Sequence, residues 1–166
     1  MENAIISAVT HDTSEAKMTV SGVPDQPGVA AKLFRSLADA DVNVDMIVQN
    51  VSDAGATDIS FTLPHEQVSG ATATVDALVA EIGAKGVVTD TGIGRVSLTG
   101  AGMQTNPGVA ATMFETLSTS GINIEMISTS AIRISCVVRE DQAEQAVTVL
   151  HAAFELDKAP ANRSDI

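Results

Sequence analysis

Two stretches of the chain share one order of hydrophobic patterns. Apolar and polar residues alternate over Lys17–Gly22 and Arg95–Thr99, which predicts half-buried strands. Apolar residues then recur with helical spacing, at Ala30, Leu33, Phe34 and Leu37 and at Ala110, Met113, Phe114 and Leu117. Because proline is tolerated at a first helical position, these helices are predicted to begin at Pro27 and Pro107.

Two strands and a second helix follow in each stretch. The first helices are predicted to end near Asp41 and Gly121, the next strands to cover Val42–Val51 and Ile122–Ile127, and their hairpin partners Thr57–Leu63 and Ile132–Val138. A second helical stripe follows at Val68, Ala71, Val75, Leu78 and Ile82 and at Ala143, Ala146, Val147, Leu150 and Phe154. The order β-α-β-β-α needs one more strand to close a ferredoxin-like sheet.

The shared order reflects an internal duplication. With an offset of 80 and no gap, Asp25–Val51 and Thr105–Ala131 are identical at ten of 27 positions. Several other positions are conservative, such as Asp45 with Glu125. The chain therefore consists of two related modules of about 75–80 residues each.

The two modules differ in their closing strand. Gly86–Asp90 can close the first sheet, whereas the polar residues after the last helix carry no strand signal. The apolar segment Ala4–Val9 has no place in the first module, so we expect it to complete the second sheet. The predicted fold class is α+β, with two ferredoxin-like (βαββαβ) domains. The first domain (16–93) is inserted in the second (4–10 plus 94–156), and 157–166 form a flexible C-terminal tail.

Composition and charge restrict the classes of function. The chain has 9 Lys and Arg against 21 Asp and Glu, a net charge of −12, and its aromatic residues are 4 Phe. This balance argues against nucleic acid and anionic membrane as partners. No apolar run is long enough to span a bilayer. The N-terminus lacks signal-peptide character and the single cysteine fits a reducing compartment, so we expect a cytoplasmic protein.

Candidate catalytic groups are sparse. The three histidines are scattered, and none has a cysteine or carboxylate nearby at metal-ligand spacing. Cys136 lies inside an apolar strand, which predicts a buried, inert thiol. Gly100 and Gly102 follow a strand, but Thr105 stands where a dinucleotide fingerprint needs its third glycine. We therefore expect no catalytic residue, no metal site and no cofactor.

The remaining chemistry lies in the turn before the first helix. Free amides at a helix start favour an anion, and glycine lets a ligand approach the backbone closely. Asp25 together with the Gly28–Ala30 amides could serve the ammonium and the carboxylate of an amino acid. Proline followed by glycine is also ordinary turn chemistry, and Asp25 could instead be a plain N-cap, so both interpretations stay open.

Two longer segments carry a family resemblance. They are DQPGVAAKLFRSLADADVNVDMIVQN and GRVSLTGAGMQTNPGVAATMFETLSTSGINIEMISTSAIRISCVV. They resemble the tandem ACT domains of aspartokinases, most closely those of the regulatory (β) subunits, over roughly 4–156. The resemblance also includes a crossed N-terminal strand.

The resemblance implies a regulatory function. Aspartokinase transfers the γ-phosphoryl group of ATP to aspartate and opens the route to lysine, threonine and methionine. The kinase domain is missing here, so the resemblance implies a chain without catalytic activity that binds end-product amino acids. The expected assembly is a homodimer of regulatory subunits bound to catalytic α subunits (α2β2), in which the effector mediates feedback inhibition.

The resemblance also implies an effector site between subunits. In the first module it would comprise Asp25, Pro27, Gly28, Ala30 and Gln49, completed by Asn123 and Ile124 from the second module of another subunit. Ser52 and Thr62 stand where such proteins are sensitive to desensitising changes. A side-chain amide at Gln49 suits a hydroxyl, which favours threonine as effector. A lysine site is expected only with the catalytic subunit.

The second module departs from that pattern. Thr105 replaces Asp25 and Thr129 replaces Gln49, so we expect one threonine site for each interface between a first and a second module, two per dimer. Two alternatives remain: a free-standing amino-acid sensor or co-regulator that acts on another protein, and an enzyme with an unknown site. Co-purification of a catalytic aspartokinase chain would separate the alternatives.

Overall fold

The computed structural model describes residues 5–50 and 54–156, which form two compact units. The first module is the unit Ser14–Ile93, and the second module joins the N-terminal strand to the chain from Gly94 onwards. The strands are β1 (Ile5–Asp12), β2 (Glu15–Pro24), β3 (Ile47–Gln49), β4 (Ala56–Pro64), β5 (Gly86–Asp90), β6 (Ile93–Ala101), β7 (Met126–Thr129) and β8 (Arg133–Arg139). The helices are α1 (Val29–Asp39), α2 (Val68–Ile82), α3 (Gly108–Thr119) and α4 (Ala143–Ala153).

The first module is an antiparallel sheet of order β3-β4-β2-β5 with α1 and α2 packed on one face. The alternation in β2 buries Met18 and Val20 completely, and these residues pack with Leu33 and Leu37 of α1. Phe34 meets Phe61 edge to face, with ring centroids 5.7 Å apart. The predicted inward faces thus form the core of this module.

The second module has the sheet order β1-β6-β8-β7. The N-terminal strand β1 therefore takes the place that β5 takes in the first module, and it pairs antiparallel with β6. Val9 is buried in the core formed with α3 and α4, and the Nε2 atom of His151 on α4 lies 3.3 Å from the Val9 carbonyl oxygen. The predicted fold class, including the inserted first domain and the crossed strand, is confirmed.

Both first helices begin later than predicted. Helix α1 begins at Val29 because Gly28, its N-cap, has a left-handed backbone (φ 93°) that cannot belong to the helix. Pro27 accordingly lies in the turn before the N-cap. In the second module Pro107 is itself the N-cap, and α3 begins at Gly108. The predicted first helical positions at Pro27 and Pro107 were therefore wrong.

The strands that follow these helices are shorter than predicted. Strand β3 begins at Ile47 and β7 begins at Met126, so 42–46 and 122–125 are irregular. The amide of Asn43 donates to the side-chain oxygen of Gln67 (2.6 Å) instead of to a neighbouring strand. The side-chain amide of Gln142 likewise donates to the Gly121 carbonyl (3.4 Å). A side-chain acceptor thus replaces a ladder partner at Asn43, and in the second module a side-chain donor bonds to the residue just before the predicted strand.

Three predicted features lie outside the described residues: Ala4 and Val51 as strand ends, Ser52 as a site residue, and 157–166 as a tail. Strand β1 extends beyond the predicted end at Val9, to Asp12. In the part of the chain that the structure describes, no helix is long and apolar enough to cross a membrane.

Candidate functional site

The turn between β2 and α1 is fixed by backbone hydrogen bonds. The Asp25 amide donates to the Gly55 carbonyl (3.0 Å), and the Gln26 amide donates to the Pro24 carbonyl (2.9 Å). The side chains of Asp25, Gln26 and Pro27 are exposed. The turn therefore presents a carboxylate to solvent from a backbone that is held by the loop before β4.

The start of α1 offers backbone donors beside that carboxylate. The first i to i−4 bond of the helix joins the Lys32 amide to the Gly28 carbonyl (3.0 Å), so the amides of Ala30 and Ala31 precede the helical ladder. Such amides, with the positive end of the helix dipole, attract anions. Gly28 is the N-cap and no side chain caps the helix, so the alternative that Asp25 is a plain N-cap is wrong.

Gln49 lies on the edge strand β3, opposite Ile59 of β4. Directly paired residues share a sheet face, and Ile59 is buried in the core under the helices. The exposed side chain of Gln49 therefore belongs to the helical face of the sheet, the face on which α1 packs. Asp25 and Gln49 are both attached to one stretch of chain, from Gly55 to Ile59.

Thr62 is fully buried beneath the chain that leads into β3. Its hydroxyl accepts a hydrogen bond from the Met46 amide (3.0 Å), and its own amide donates to the Met46 carbonyl (3.0 Å). Its carbonyl accepts from the Asp45 amide (3.0 Å). Thr62 thus fixes the segment that leads into β3, the strand that carries Gln49. Its side chain is not part of the turn itself.

Asn123 and Ile124 belong to the second module, between α3 and β7. Asn123 is exposed and Ile124 is half-buried, and both line an open cavity of about 500 Å³. The cavity is also lined by Phe114, Ser118, Gly121 and Ile122. The Arg139 guanidinium holds the neighbouring Glu125 carboxylate through two bonds of 2.9 and 3.0 Å.

The equivalent turn of the second module is built differently. Thr105 ends a short 3-10 turn, and its hydroxyl donates to the Gly102 carbonyl (3.3 Å). Thr129 lies exposed on β7, opposite Ile134. Neither side chain brings a charge to the start of α3.

Among the described residues, the thiol of Cys136 is a further candidate group, and it is buried. Burial raises the pKa of the Cys136 thiol to about 12, so the thiol stays protonated at neutral pH, as predicted for an inert core cysteine. Within the described ranges, no group of three or more His, Cys, Asp and Glu side chains is arranged to hold a metal ion.

Two residues of the turn's support were missed by the sequence analysis, Gly55 and Asp58. The Asp58 carboxylate accepts a hydrogen bond from the Gly22 amide (3.0 Å), and Gly55 provides the carbonyl that holds Asp25. The sequence identifies Gly55 only as a glycine in a hairpin loop, and Asp58 only as a polar position in an alternating strand. Neither signal indicates that the residue supports the turn.

Comparisons with known proteins match both repeats to one family model. The ACT domain model matches residues 18–78 and 96–154. The aspartokinase of Mycolicibacterium smegmatis is 52% identical over 158 residues, which are 94% of this chain and 38% of that protein. The chain therefore spans about two fifths of the length of the curated relatives it matches.

Several solved structures match over nearly their whole chains. A chain in the crystal structure of aspartokinase alpha and beta subunits is 41% identical with a TM-score of 0.85, and the match covers 91% of this chain and 99% of that chain. The ligand-free regulatory subunit of aspartate kinase from Thermus thermophilus is 37% identical with a TM-score of 0.85, over 90% of this chain and 98% of that chain.

Proposed function

This chain belongs to the ACT domain family, in the branch that forms the regulatory part of aspartokinases, and we propose that it is a regulatory subunit of aspartate kinase. It binds an end-product amino acid, threonine, and transmits feedback inhibition to a separate catalytic subunit. The chain by itself has no aspartate kinase activity. The match to the regulatory subunit of aspartate kinase, which covers 90% of this chain and 98% of that chain, supports this proposal.

One observation carries the choice of an amino acid as ligand. The exposed carboxylate of Asp25 stands three residues before the N-cap of α1, beside amides that precede the helical ladder. A zwitterion needs an acceptor for its ammonium close to donors for its carboxylate, and this turn has both. In the proposed site Asp25 binds the ammonium, and the amides around Gly28–Ala30 bind the carboxylate, with Pro27 shaping the turn.

Gln49 gives the proposed site its preference for threonine. Its exposed side-chain amide, on the helical face of the sheet, can pair with the hydroxyl of the ligand. A site that satisfies a hydroxyl discriminates against analogues without one, because its own polar group would be left unpaired. Thr62 acts on this preference through the segment that carries β3, which is the proposed reason for its sensitivity to substitution. Ser52 is proposed as a second sensitive position.

The proposed site is completed by a second copy of the chain. The edge strands β3 and β7 each leave one large apolar side chain exposed, Ile47 (50%) and Ile127 (43%), at equivalent positions of the repeat. Unpaired edges with apolar residues favour strand or face pairing between subunits. In a two-fold dimer Asn123 and Ile124 of one subunit close the first-module site of the other, which gives two threonine sites.

The proposed partner is a catalytic aspartokinase α subunit, in an α2β2 assembly. The pairing of alpha and beta subunits in one of the matched structures supports a partner of this kind. Lysine binds only when that catalytic subunit is present. The competing proposal, a free-standing amino-acid sensor acting on another protein, predicts that no aspartokinase chain accompanies this one.

Three measurements on purified protein test the proposal. A tagged chain co-expressed with the catalytic aspartokinase of its own source should bring that chain down, and added threonine should inhibit the complex. The chain alone should form no aspartyl phosphate from ATP and aspartate. Aspartyl phosphate formed by the pure chain, or a catalytic subunit that never binds it, would overturn the proposal.

Titration and sedimentation test the site and the dimer. Threonine should bind the chain in calorimetry more tightly than serine, valine or lysine. A ligand that contacts both subunits binds only the dimer, so threonine at about 100 times its Kd should stabilise the dimer by about 2.7 kcal/mol per site. A monomer at tens of micromolar with threonine present would contradict the interface site.

A further inference from the structure

A carboxylate on β4 holds the end of β2 from which the effector turn extends. The Oδ1 atom of Asp58 accepts a hydrogen bond from the Gly22 amide at 3.0 Å. Gly22 lies where the register between β2 and β4 shifts, between Val20 and Val23. Such an irregularity bends the strand and redirects the residues that follow it. The direction in which β2 enters the turn is therefore set at Gly22.

The same bulge is held from its other side by Lys85. Gly22 has a left-handed backbone (φ 63°), and a Cβ atom built there would lie 2.6 Å from the Cγ atom of Lys85. The Lys85 amide donates to the Ser21 carbonyl at 2.8 Å. A side chain at position 22 would therefore strain the left-handed backbone and displace the Lys85 stem, next to the bond that the Gly22 amide makes to the Asp58 carboxylate.

Asp58 also stands between the two attachments of the proposed ligand-binding segments. Three residues before it, the Gly55 carbonyl accepts from the Asp25 amide (3.0 Å). One residue after it, Ile59 pairs with Gln49. Its own carbonyl accepts from the Asn50 amide (3.3 Å). The turn that carries Asp25 and the strand that carries Gln49 are thus both held by the short stretch of chain around Asp58.

We propose that Asp58 is a positioning residue of the effector site, which sets the place of Asp25 relative to Gln49 without touching the ligand. This inference rests on the proposed function. A carboxylate acceptor gives a stronger bond to a backbone amide than a neutral one, so it holds the bulge in one register. A cavity of about 310 Å³ lies beside Asp58, Gly22 and Lys85, so the bulge has room to relax when the bond is lost.

Three variants separate positioning from general stability. Asp58→Ala removes the acceptor, and Asp58→Asn keeps an acceptor oxygen in the same place but removes the charge. Asp90→Ala is the matched control, because the Asp90 carboxylate accepts from the Gly92 amide at the same distance, 3.0 Å. Asp90 pairs with Lys17, at the opposite end of β2 from the turn.

Calorimetric titration with L-threonine gives the first readout. Asp58→Ala should weaken binding about tenfold, the low end for a hydrogen bond to a charged group because this bond is exposed. Asp58→Asn should lose less affinity than Asp58→Ala, because its neutral oxygen still accepts from the Gly22 amide but makes a weaker bond. Asp90→Ala should stay within about twofold of the wild type, even where the melting temperature falls. Unchanged binding by Asp58→Ala overturns the proposal. So does a loss by Asp58→Asn equal to that of Asp58→Ala, since the acceptor oxygen that Asn keeps for the Gly22 amide would then contribute nothing to binding.

Amide hydrogen exchange without ligand gives a second readout that does not depend on threonine. Asp58→Ala should speed exchange at the Gly22 and Asp25 amides, and Asp90→Ala should leave both unchanged. If the wild type binds no amino acid, the proposed function fails while this measurement still tests the positioning. Exchange at Asp25 that is the same in Asp58→Ala and in the wild type overturns the positioning role.

Discussion

The two modules share a sheet order but reach their first helix by different routes. The connection from β6 to α3 has six residues, Gly102 to Pro107, whereas the connection from β2 to α1 has four, Asp25 to Gly28. The longer connection contains a 3-10 turn, and the glycine that follows it, Gly108, is the first helical residue. In the first module the equivalent Gly28 stays outside the helix with φ 93°. The same Pro-Gly-Val-Ala-Ala sequence thus starts both helices, but α1 begins at its valine and α3 at its glycine.

The difference teaches that a duplicated motif does not duplicate a site. The proline, glycine and alanines are common to both modules, whereas the carboxylate of Asp25 and its backbone bond to Gly55 occur in the first turn. In the second turn Thr105 bonds locally to Gly102. The chemistry of each turn is therefore decided by the connection before the motif.

The largest effect is expected from the carboxylate that the first module has and the second lacks. Asp25→Asn keeps the shape of the side chain but removes its charge. Losing one charge-assisted hydrogen bond to the ligand ammonium should cost about 1.5–3 kcal/mol, roughly 10- to 150-fold in threonine affinity. Asp25→Ala should be at least as damaging. Calorimetric titration of both variants measures the change.

The matched control lies at the equivalent position of the second module. Thr105→Val removes a hydroxyl from an exposed turn and should leave threonine affinity unchanged. Equal binding by wild type and Asp25→Asn would refute the ammonium role of Asp25. A large loss in Thr105→Val would mean that the second turn also binds the effector.

The sequence predicted the features that depend on local pattern. Alternation identified the buried positions of β2 and β6, such as Val20 and Leu98. The crossed strand β1 was predicted because one apolar segment had no place in the first module and the second module had no closing strand. The late start of β3 was missed, because a run of β-branched residues does not show where the ladder begins. The Asn43 amide, for example, bonds to the side chain of Gln67, 24 residues away.

The candidate site was also predictable only in part, because some of its bonds join residues that lie far apart in the sequence. The turn at Asp25 could be chosen because a carboxylate, a proline and a glycine precede a helical stripe. Its supports, Gly55 and Asp58, lie about 30 residues further along the chain. Their bonds to Asp25 and Gly22 depend on the geometry of a hairpin and a bulge, which residue pattern does not encode.

A loss of folding stability is expected from a change at Thr62, whose equivalent in the second module is apolar. In free energy it should be similar to the loss of threonine binding expected for Asp25→Asn. The register of β3 with β4 and of β7 with β8 makes Val137 the equivalent of Thr62. Thr62→Val keeps the shape but leaves the buried Met46 amide without its acceptor, which should cost about 1–3 kcal/mol. Thermal unfolding measures the loss, and threonine affinity should fall if the segment before β3 moves.

Thr62→Ser tests whether the hydroxyl is the cause. It keeps the acceptor for Met46 and loses one buried methyl group, so it should cost about 0.8 kcal/mol plus any cavity contribution. Thr62→Val should therefore lose more stability than Thr62→Ser. The reverse order would show that packing, and not the hydrogen bond, fixes this position.

The two glycines of the repeated motif should respond differently to alanine. A Cβ at Gly28 meets no atom within 4 Å, so the cost of Gly28→Ala comes from the left-handed backbone alone, about 1–2 kcal/mol. Gly108→Ala lies in a helix, where its Cβ makes an ordinary contact of 3.6 Å with Asn106. It should stabilise by about 0.4–1 kcal/mol. Opposite shifts in melting temperature are expected, and equal shifts would contradict the different helix starts.

The smallest effect concerns an ion pair that only the second module can form at this position. Arg139 binds Glu125 through two short bonds, whereas Pro64 stands at the position of Arg139 in the first module and Asp45 at that of Glu125. The two side chains are 40% and 23% exposed, so Arg139→Gln should cost only about 0.5–1 kcal/mol in thermal unfolding at low salt.

Salt dependence separates this charge effect from lost packing of the arginine stem. Screening shortens from about 10 Å at 0.1 M salt to about 3 Å at 1 M, so the difference between wild type and Arg139→Gln should shrink as salt is raised. Arg35→Gln is the control, because the Arg35–Asp39 contact is longer (3.6 Å) and far more exposed (75% and 68%). It should cost at most about 0.5 kcal/mol. A loss in Arg139→Gln that persists at 1 M salt would assign the contribution to packing of the side chain, because screening weakens an exposed ion pair and leaves apolar contacts in place.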